Sequence, residues 1–295
     1  MARQGAGRAR AAGAPDIMFE LATTRPLLPY VHSYYLLHNP AREVTGIDRV
    51  DIGQIRFMLD GHGEFTFPDG RIEPTCPMTI TGAGTAAAYW RATGPIRCFG
   101  VAMRGLGWKS LIKVPADKAA DRVIDGEKLF GPQASAVVER LHAAQTLAEM
   151  IAIVEPFLIA HARRVPPTHV ALTVAVREWA AKGAPGVDDL YARVAMSPRQ
   201  VMRLCNDYFG SPPKHLERKF RALLAAMRIF HGEDPADAAD RFSDQSHMIN
   251  EVKHFTGHTP GSLTTDIDPI LAITLANESF HYLPDVIPEA VDPEA

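Results

Sequence analysis

Residues 244–260 read DQSHMINEVKHFTGHTP, and the fold turns on what this stretch is for. It crowds Asp244, Ser246, His247, His254 and His258 together, residue types that build hydrolase triads and metal sites. Neither use fits the spacing. A triad needs a histidine between nucleophile and carboxylate, with the three groups delivered from separate elements. Here Asp244, Ser246 and His247 open one amphipathic run, where Asp244 is better used as a helix cap and Ser246 lacks a G-x-S-x-G elbow. His247 and His254 are two helical turns apart, against the i, i+4 pairing of a zinc helix. His258 lies beyond Gly257, past the helix stop. No catalytic residue, metal or cofactor is expected.

The stretch has a second copy. Residues 197–213 read SPRQVMRLCNDYFGSPP, and with Ser197 set against Asp244 the two run in step. Val201 matches Met248, Cys205 matches Val252, Tyr208 matches Phe255, Gly210 matches Gly257 and Pro213 matches Pro260. The apolar matches fall on one face of a helix. Each copy therefore reads as a capped helix with a buried stripe, a glycine stop and a proline opening the next helix. A short helix precedes each, over 187–194 and from Asp234-Pro235 to Phe242. The spacing thus predicts two helix-turn-helix units joined by a helix over 214–230. At ~1.5 Å per residue that helix spans roughly 25 Å, enough with its neighbours to set two helices about one duplex turn apart.

Here the residues also resemble a known family. Ser197-Pro-Arg199-Gln-Val201-Met-Arg203, Gly210-Ser-Pro-Pro213, Phe242-Ser-Asp-Gln-Ser-His247 and Gly257-His-Thr-Pro260 resemble the AraC-type transcription regulators over residues 169–263. The N-terminal half, through PLLPYVHSYY and IRCFGVAMRGLGWKSLI, is similar to β-rich sensor domains that precede some AraC-type domains. The resemblance implies a bacterial, cytoplasmic, nucleoid-associated regulator, an activator or a repressor. It implies that Arg199, Met202 and Arg203 face base edges. In residue chemistry, arginine suits guanine through its bidentate fork and Gln200 suits adenine. Lys214, Arg218 and Arg221 are candidate phosphate anchors or helix salt bridges. In the second copy Gln245, Ser246, His247, Ile249, Asn250 and Lys253 take the outward positions. This copy departs from the family pattern: Arg241 stands in place of a usual Gly, Met248 and Val252 in place of Phe, and Asn250 in place of Arg.

Charge is uneven. The chain of 295 residues has a net charge of −3, yet residues 193–221 hold seven Lys and Arg against Asp207 and Glu217. That local excess suits phosphates and predicts salt-sensitive binding. Residues 233–241 hold four acidic groups against Arg241 alone, which repels a phosphate backbone. A second use of this copy, as a surface for a protein, therefore stands beside DNA reading, and an enzyme in the N-terminal half stands further off.

From residue 17 to about residue 104 the pattern is short and β-like, with runs at 30–37, 52–59, 63–67 and 96–104, punctuated by Gly, Pro and Asp. DGHGEFTFPDG, residues 60–70, reads as a hairpin. His62 and Glu64 lack the further histidines of a metal site. Trp90, Trp108 and Tyr89 are either core or the lining of an effector pocket. Helices are expected over 134–144 and 146–161, the second opening on the capping box Thr146 to Glu149.

The expected fold is α+β: a β-rich barrel or sandwich (17–131), bridging helices (132–163), a linker (164–168) and an all-α half with two helix-turn-helix units (169–263). Residues 1–16, basic and without an apolar core behind them, read as a disordered arm rather than a secretory signal. Residues 264–295 read as an acidic surface tail. Cys76, Cys98 and Cys205 read as free thiols, and no apolar run approaches the ~20 residues of a membrane span. Expected partners are double-stranded DNA, RNA polymerase, an unidentified small-molecule effector and a second copy of the chain, with no membrane.

Overall fold

The computed structural model describes residues 6–11 and 14–276, with the side chains of Met18 and of residues 20–275. Nine strands form one antiparallel sheet: β1 (Ala6–Ala11), β2 (Ala14–Ala22), β3 (Val31–Asn39), β4 (Glu43–Asp48), β5 (Gln54–Thr66), β6 (Ile72–Pro74), β7 (Met78–Thr81), β8 (Ala88–Met103) and β9 (Val123–Asp125). The order is β1-β2-β3-β8-β5-β7-β9, with β4 on β8 and β6 on β5. The N-terminal half is β-rich as expected, but it is not a closed barrel, because β1 and β9 end the hydrogen-bonded path.

The long strands explain two differences from the sequence pattern. The runs 52–59 and 63–67 are one strand, β5, whose register shifts between Met58 and His62. Gly61 adopts φ 77° there, so the turn-like DGHG is a bulge and His62 is an exposed strand residue. The hairpin turn comes later, at Pro68-Asp69-Gly70, where the Gly70 N–H donates to Phe67 O at 2.9 Å. Residues 6–11, expected within a disordered arm, pair with β2; strand pairing needs only backbone groups, and composition does not reveal it.

One face of the sheet packs on helices. Tyr34, Ile55, Phe57, Phe99 and Val101 share a core with Trp108 of α1 (Gly105–Leu111). After the short α2 (Gly126–Phe130) come α3 (Pro132–Ala143) and α4 (Leu147–His161). These helices bury Val137, Leu141, Met150, Val154 and Leu158 in that same core. The pair read as bridging helices is thus the second layer of the N-terminal domain. Each such fully buried side chain contributes about 1.5–3 kcal/mol. The Thr146–Glu149 capping box forms. Trp108 is core, its indole N–H donating to Val114 O at 2.9 Å. Trp90 lines a cavity, and Tyr89 is exposed.

The remainder is helical: α5 (Pro167–Ala181), α6 (Val187–Ala192), α7 (Pro198–Phe209), α8 (Pro213–Phe230), α9 (Pro235–Ala238), a 3-10 turn at Ala239–Arg241, α10 (Gln245–Thr256), α11 (Pro260–Thr265) and α12 (Pro269–Ala276). Trp179, Leu190, Val201, Cys205 and Tyr208 form one core, and Ala226, Met248, Val252 and Leu263 a second. Helix α8 contributes to both, Leu216 to the first and Ile229 to the second. The segment read as an acidic surface tail begins instead with α12, which buries Leu271, Ile273 and Leu275; residues from 277 lie outside the described residues. Among the described residues no helix is long and apolar enough to cross a membrane, and no cluster has the makings of a metal site.

Candidate nucleic-acid interface

The internal repeat is structural. Helices α7 and α10 each have 12 residues and are forty-seven positions apart. Ser197 accepts from Gln200 N–H and Asp244 from His247 N–H at 2.8 Å; the latter bond lowers the Asp244 carboxyl below its usual range. Gly210 (φ 77°) and Gly257 (φ 78°) close them in the left-handed conformation, and their N–H groups return to Asn206 O and Lys253 O. Val201, Cys205 and Tyr208 are fully buried, as are Met248, Val252 and Phe255.

On α7 the outward face holds Ser197, Arg199, Gln200, Met202, Arg203 and Asn206 around one shallow depression. Met202 is 46% exposed, one of five large apolar side chains exposed among the described residues. Gln200 is partly committed: its amide oxygen accepts from Ser197 N–H and lies 2.9 Å from Ser197 Oγ. A bidentate grip on adenine needs that oxygen, so such a grip would open the cap.

The basic run 193–221 divides sharply. Arg193 pairs with Asp189 at 2.8 Å. Lys214 pairs with Glu217 at 2.9 Å while staying 73% exposed. Arg218 makes a two-point pair with Glu251, at 2.7 and 3.0 Å. Lys219 is buried and donates to Asp51 O at 2.7 Å, with burial lowering its amine to about 8. Arg221 reaches Glu217 at 3.4 Å. Arg199 and Arg203, both exposed, have no ion-pair partner among the described residues. Counting charge along the sequence pools all seven.

In the second unit Gln245, Ser246, Asn250 and Lys253 are exposed. His247 and Ile249 are only partly so. His247 turns back, its Nδ1 lying 3.0 Å from Ser243 Oγ and its ring edge-on to Phe242, while Ile249 packs against the second core. Arg218, read as a phosphate anchor or a salt bridge, forms a salt bridge with Glu251 and stays 40% exposed. Glu251 occupies the helical position of Leu204 in the first unit, and this buried carboxylate needs a cation. Arg241 donates to Lys182 O at 2.6 Å, satisfying a carbonyl at the end of α5.

No protein-family model and no curated protein sequence matches the chain. Among solved structures it is similar to ToxT from Vibrio cholerae O395, with TM-score 0.44 and 9% identity over 79% of this chain and 98% of that one. ToxT from strain SCE256 with unsaturated fatty acid bound gives 0.44 and 9%, over 79% and 94%. The AraC-like transcriptional activator CuxR gives 0.32 and 14%, over 75% and 86%. None of these likenesses fixes a residue's role in this chain.

A set of contacts without any sequence motif holds both units. The last carbonyls of a helix are short of internal partners, and here the N-terminal domain supplies donors at both helix ends, at Asn206 O in addition to the bond from Gly210. Ala116 and Asp117 N–H donate to Asp207 O and Asn206 O, each at 3.0 Å. Val50 and Ala87 N–H donate to Phe255 O at 3.1 Å and His254 O at 2.9 Å. Lys109 adds a 2.6 Å bond to Asp207. The docked ends are the C-terminal ends, so the N-terminal ends of both helices face outward. Backbone donors from loops leave no mark in residue type, and sequence reasoning missed them for that reason.

Proposed function

We propose that the chain is a double-stranded-DNA-binding transcription regulator of the AraC type, with the first helix-turn-helix unit reading bases and the N-terminal domain receiving a small-molecule or partner signal. The observation that carries this reading is the division of the cations. Five of the seven basic side chains of residues 193–221 are tied to protein groups, and the two left untied, Arg199 and Arg203, flank the exposed Met202 at the outward end of α7. Unpaired arginines beside an apolar side chain suit guanine edges next to a thymine methyl group. The second unit, with the same frame and an exposed Lys253, suits phosphate contact and register. The sequence motifs quoted above support the same reading.

Selecting bound fragments from genomic DNA at moderate salt would define the target. Gel-shift titration of Arg199→Ala and Arg203→Ala beside Gln245→Ala and Asn250→Ala then tests the assignment. Loss of sequence preference in the two arginine variants is expected. Equal weakening on every sequence would demote both arginines to phosphate contacts. Unchanged affinity in all four would favour the second reading, a protein-binding surface around the exposed Asp237 and Asp240.

A further inference from the structure

Helix α12 follows the second unit in sequence but belongs to two cores at once. Its sequence, PILAITLA, has no charged side chain. Leu271 and Leu275 join the core of the second unit with Met248 and Val252. Ile273 joins a different cluster, on the sheet, with Tyr35, Ala92, Ile96 and Cys98. Asp268 fixes the start of the helix, its Oδ1 accepting from Ile270 and Leu271 N–H at 2.9 and 3.0 Å.

Between α12 and the sheet lies a cavity of about 120 Å³. Met58, Phe65, Trp90 and Ile96 form its sheet wall, and Ile270, Leu271 and Thr274 its helix wall. Cavities of this order, lined by apolar side chains, take up a single aromatic ring; ~150 Å³ suffices for benzene. The ionic side chains around it balance. Arg49, Arg56 and Arg91 stand against Asp48, Asp51 and Glu64, so the cavity offers no net charge to an anion or a cation. Arg56 is buried and held by Asp48 at 2.6 Å, Thr81 Oγ1 at 2.7 Å and Tyr35 Oη at 3.0 Å. A guanidinium has five N–H groups, so these three bonds leave donors for an oxygen acceptor.

We infer that this cavity binds a small uncharged aromatic compound carrying one oxygen acceptor, and that α12 passes its occupancy to the second helix-turn-helix unit. The regulatory meaning rests on the proposed DNA-binding function; the binding and the coupling do not. A ligand touching Ile270 and Leu271 moves a helix that also packs against α8, within the apolar core that α8 shares with Met248 and Val252 of α10. Filling the cavity therefore changes the stability of α10 with no direct contact, because both sites bias one packed element.

The test uses the full chain without DNA. Phenol and toluene serve as probes and benzoate as the charged comparison, with binding followed by calorimetry and amide hydrogen exchange read over residues 245–276. Phenol is expected to bind at one site at least tenfold more tightly than benzoate and to change exchange in both α12 and α10 severalfold. Ile270→Trp, which fills the cavity from the helix side, and Ala92→Leu, which narrows it from the sheet side, should each weaken phenol binding at least tenfold. Leu275→Ala should keep phenol binding and lose the response in α10. The inference is overturned by absence of saturable phenol binding, by benzoate binding as well as phenol, or by undiminished binding in whichever filled variant melts like the parent. Phenol binding that leaves exchange in α10 unchanged overturns the coupling. Because DNA is absent, these outcomes are separate from any failure of the gel-shift test.

Discussion

Helices α7 and α10 share length, cap positions, glycine stops and buried stripe, yet they differ at the seventh position after the cap and on the outward face. The first unit buries Leu204 and leaves Arg199 and Arg203 unpaired; the second buries Glu251, spends Arg218 on neutralising it, and exposes Asn250 where the first has Arg203. Burying a carboxylate is tolerated only with a well-placed partner, so one internal difference ties a half-exposed cation to a protein group. The helix-turn-helix frame depends on caps and apolar spacing and survives such exchanges. Chemistry toward a ligand depends on which charges remain unclaimed, and that divides the two copies.

The largest effect tests how separate the two units are. Tyr208 and Phe255 occupy equivalent positions and both are fully buried. Tyr208 is also hydrogen-bonded to His169 at 2.8 Å, whereas Phe255 packs with Val50, Ala222 and Leu223 at the border with the N-terminal domain. Replacing either by Ala should cost about 3–5 kcal/mol. Hydrogen exchange should show Phe255→Ala loosening residues 245–256 and Tyr208→Ala loosening residues 198–209. Equal loosening of both helices in either variant would make the two units one cooperative block.

The next effect concerns specificity. Arg199→Ala and Arg203→Ala should each cost about 1–3 kcal/mol on the preferred DNA sequence. Gln245→Ala and Asn250→Ala remove neutral hydrogen bonds and should cost about 0.5–1.5 kcal/mol. Titration on a preferred and a scrambled duplex measures both. Arginine losses no larger than those of Gln245 and Asn250 would erase the contrast drawn between the copies.

Much of this was legible in the sequence, and the reasons are local. Ser197-Pro198, Asp244, Gly210 and Gly257 set helix boundaries through backbone chemistry within a turn or two, so the second helix of each unit and its buried stripe could be placed to the residue, while the helix before each ends earlier than the sequence pattern suggests. The long-range partners could not. Nothing local marks Glu251 as the acceptor of Arg218, thirty-three residues away, or Asp51 O as the acceptor of buried Lys219. The apolar segment at α12 has no periodicity to read, since it is buried on more than one side, and its neighbouring acids drew it toward the surface. On the sheet, Gly61 and Gly63 looked like turn residues because a bulge and a turn both use glycine.

A smaller effect is titratable and again separates the copies. A histidine ring meets each buried aromatic edge-on: His169 against Tyr208 and His215 against Phe255. Burial lowers both imidazoles, and neighbouring Arg203 and Lys109 add to this at His169. At His215 burial, with Lys219, Arg218 and His254 nearby, brings the value down to about 4. The unfolded chain takes up its proton near pH ~6.5, where the folded chain leaves His215 neutral. Stability from this group is therefore present above about 6.5 and lost as the pH falls toward about 4. Melting curves across that range should fall less steeply for His215→Asn than for the parent chain. Hydrogen exchange should report α10 loosening before α7. A loosening of α7 first would reverse the ranking of the two interfaces.

The smallest effect tests the role left to the second unit. Lys253 is exposed and, among the described residues, has no ion-pair partner. A lysine on a phosphate displaces about one counterion, so Lys253→Ala should reduce the slope of log affinity against log salt by ~1 and weaken all sequences alike. Arg203→Ala removes the same charge together with hydrogen bonds to a base, so it should alter the ranking of sequences as well as the slope. The two variants thus share an electrostatic component and differ in discrimination. If Lys253→Ala also reorders the preferred sequences, the second helix reads bases, and the pairing of Glu251 with Arg218 has weakened that copy without silencing it.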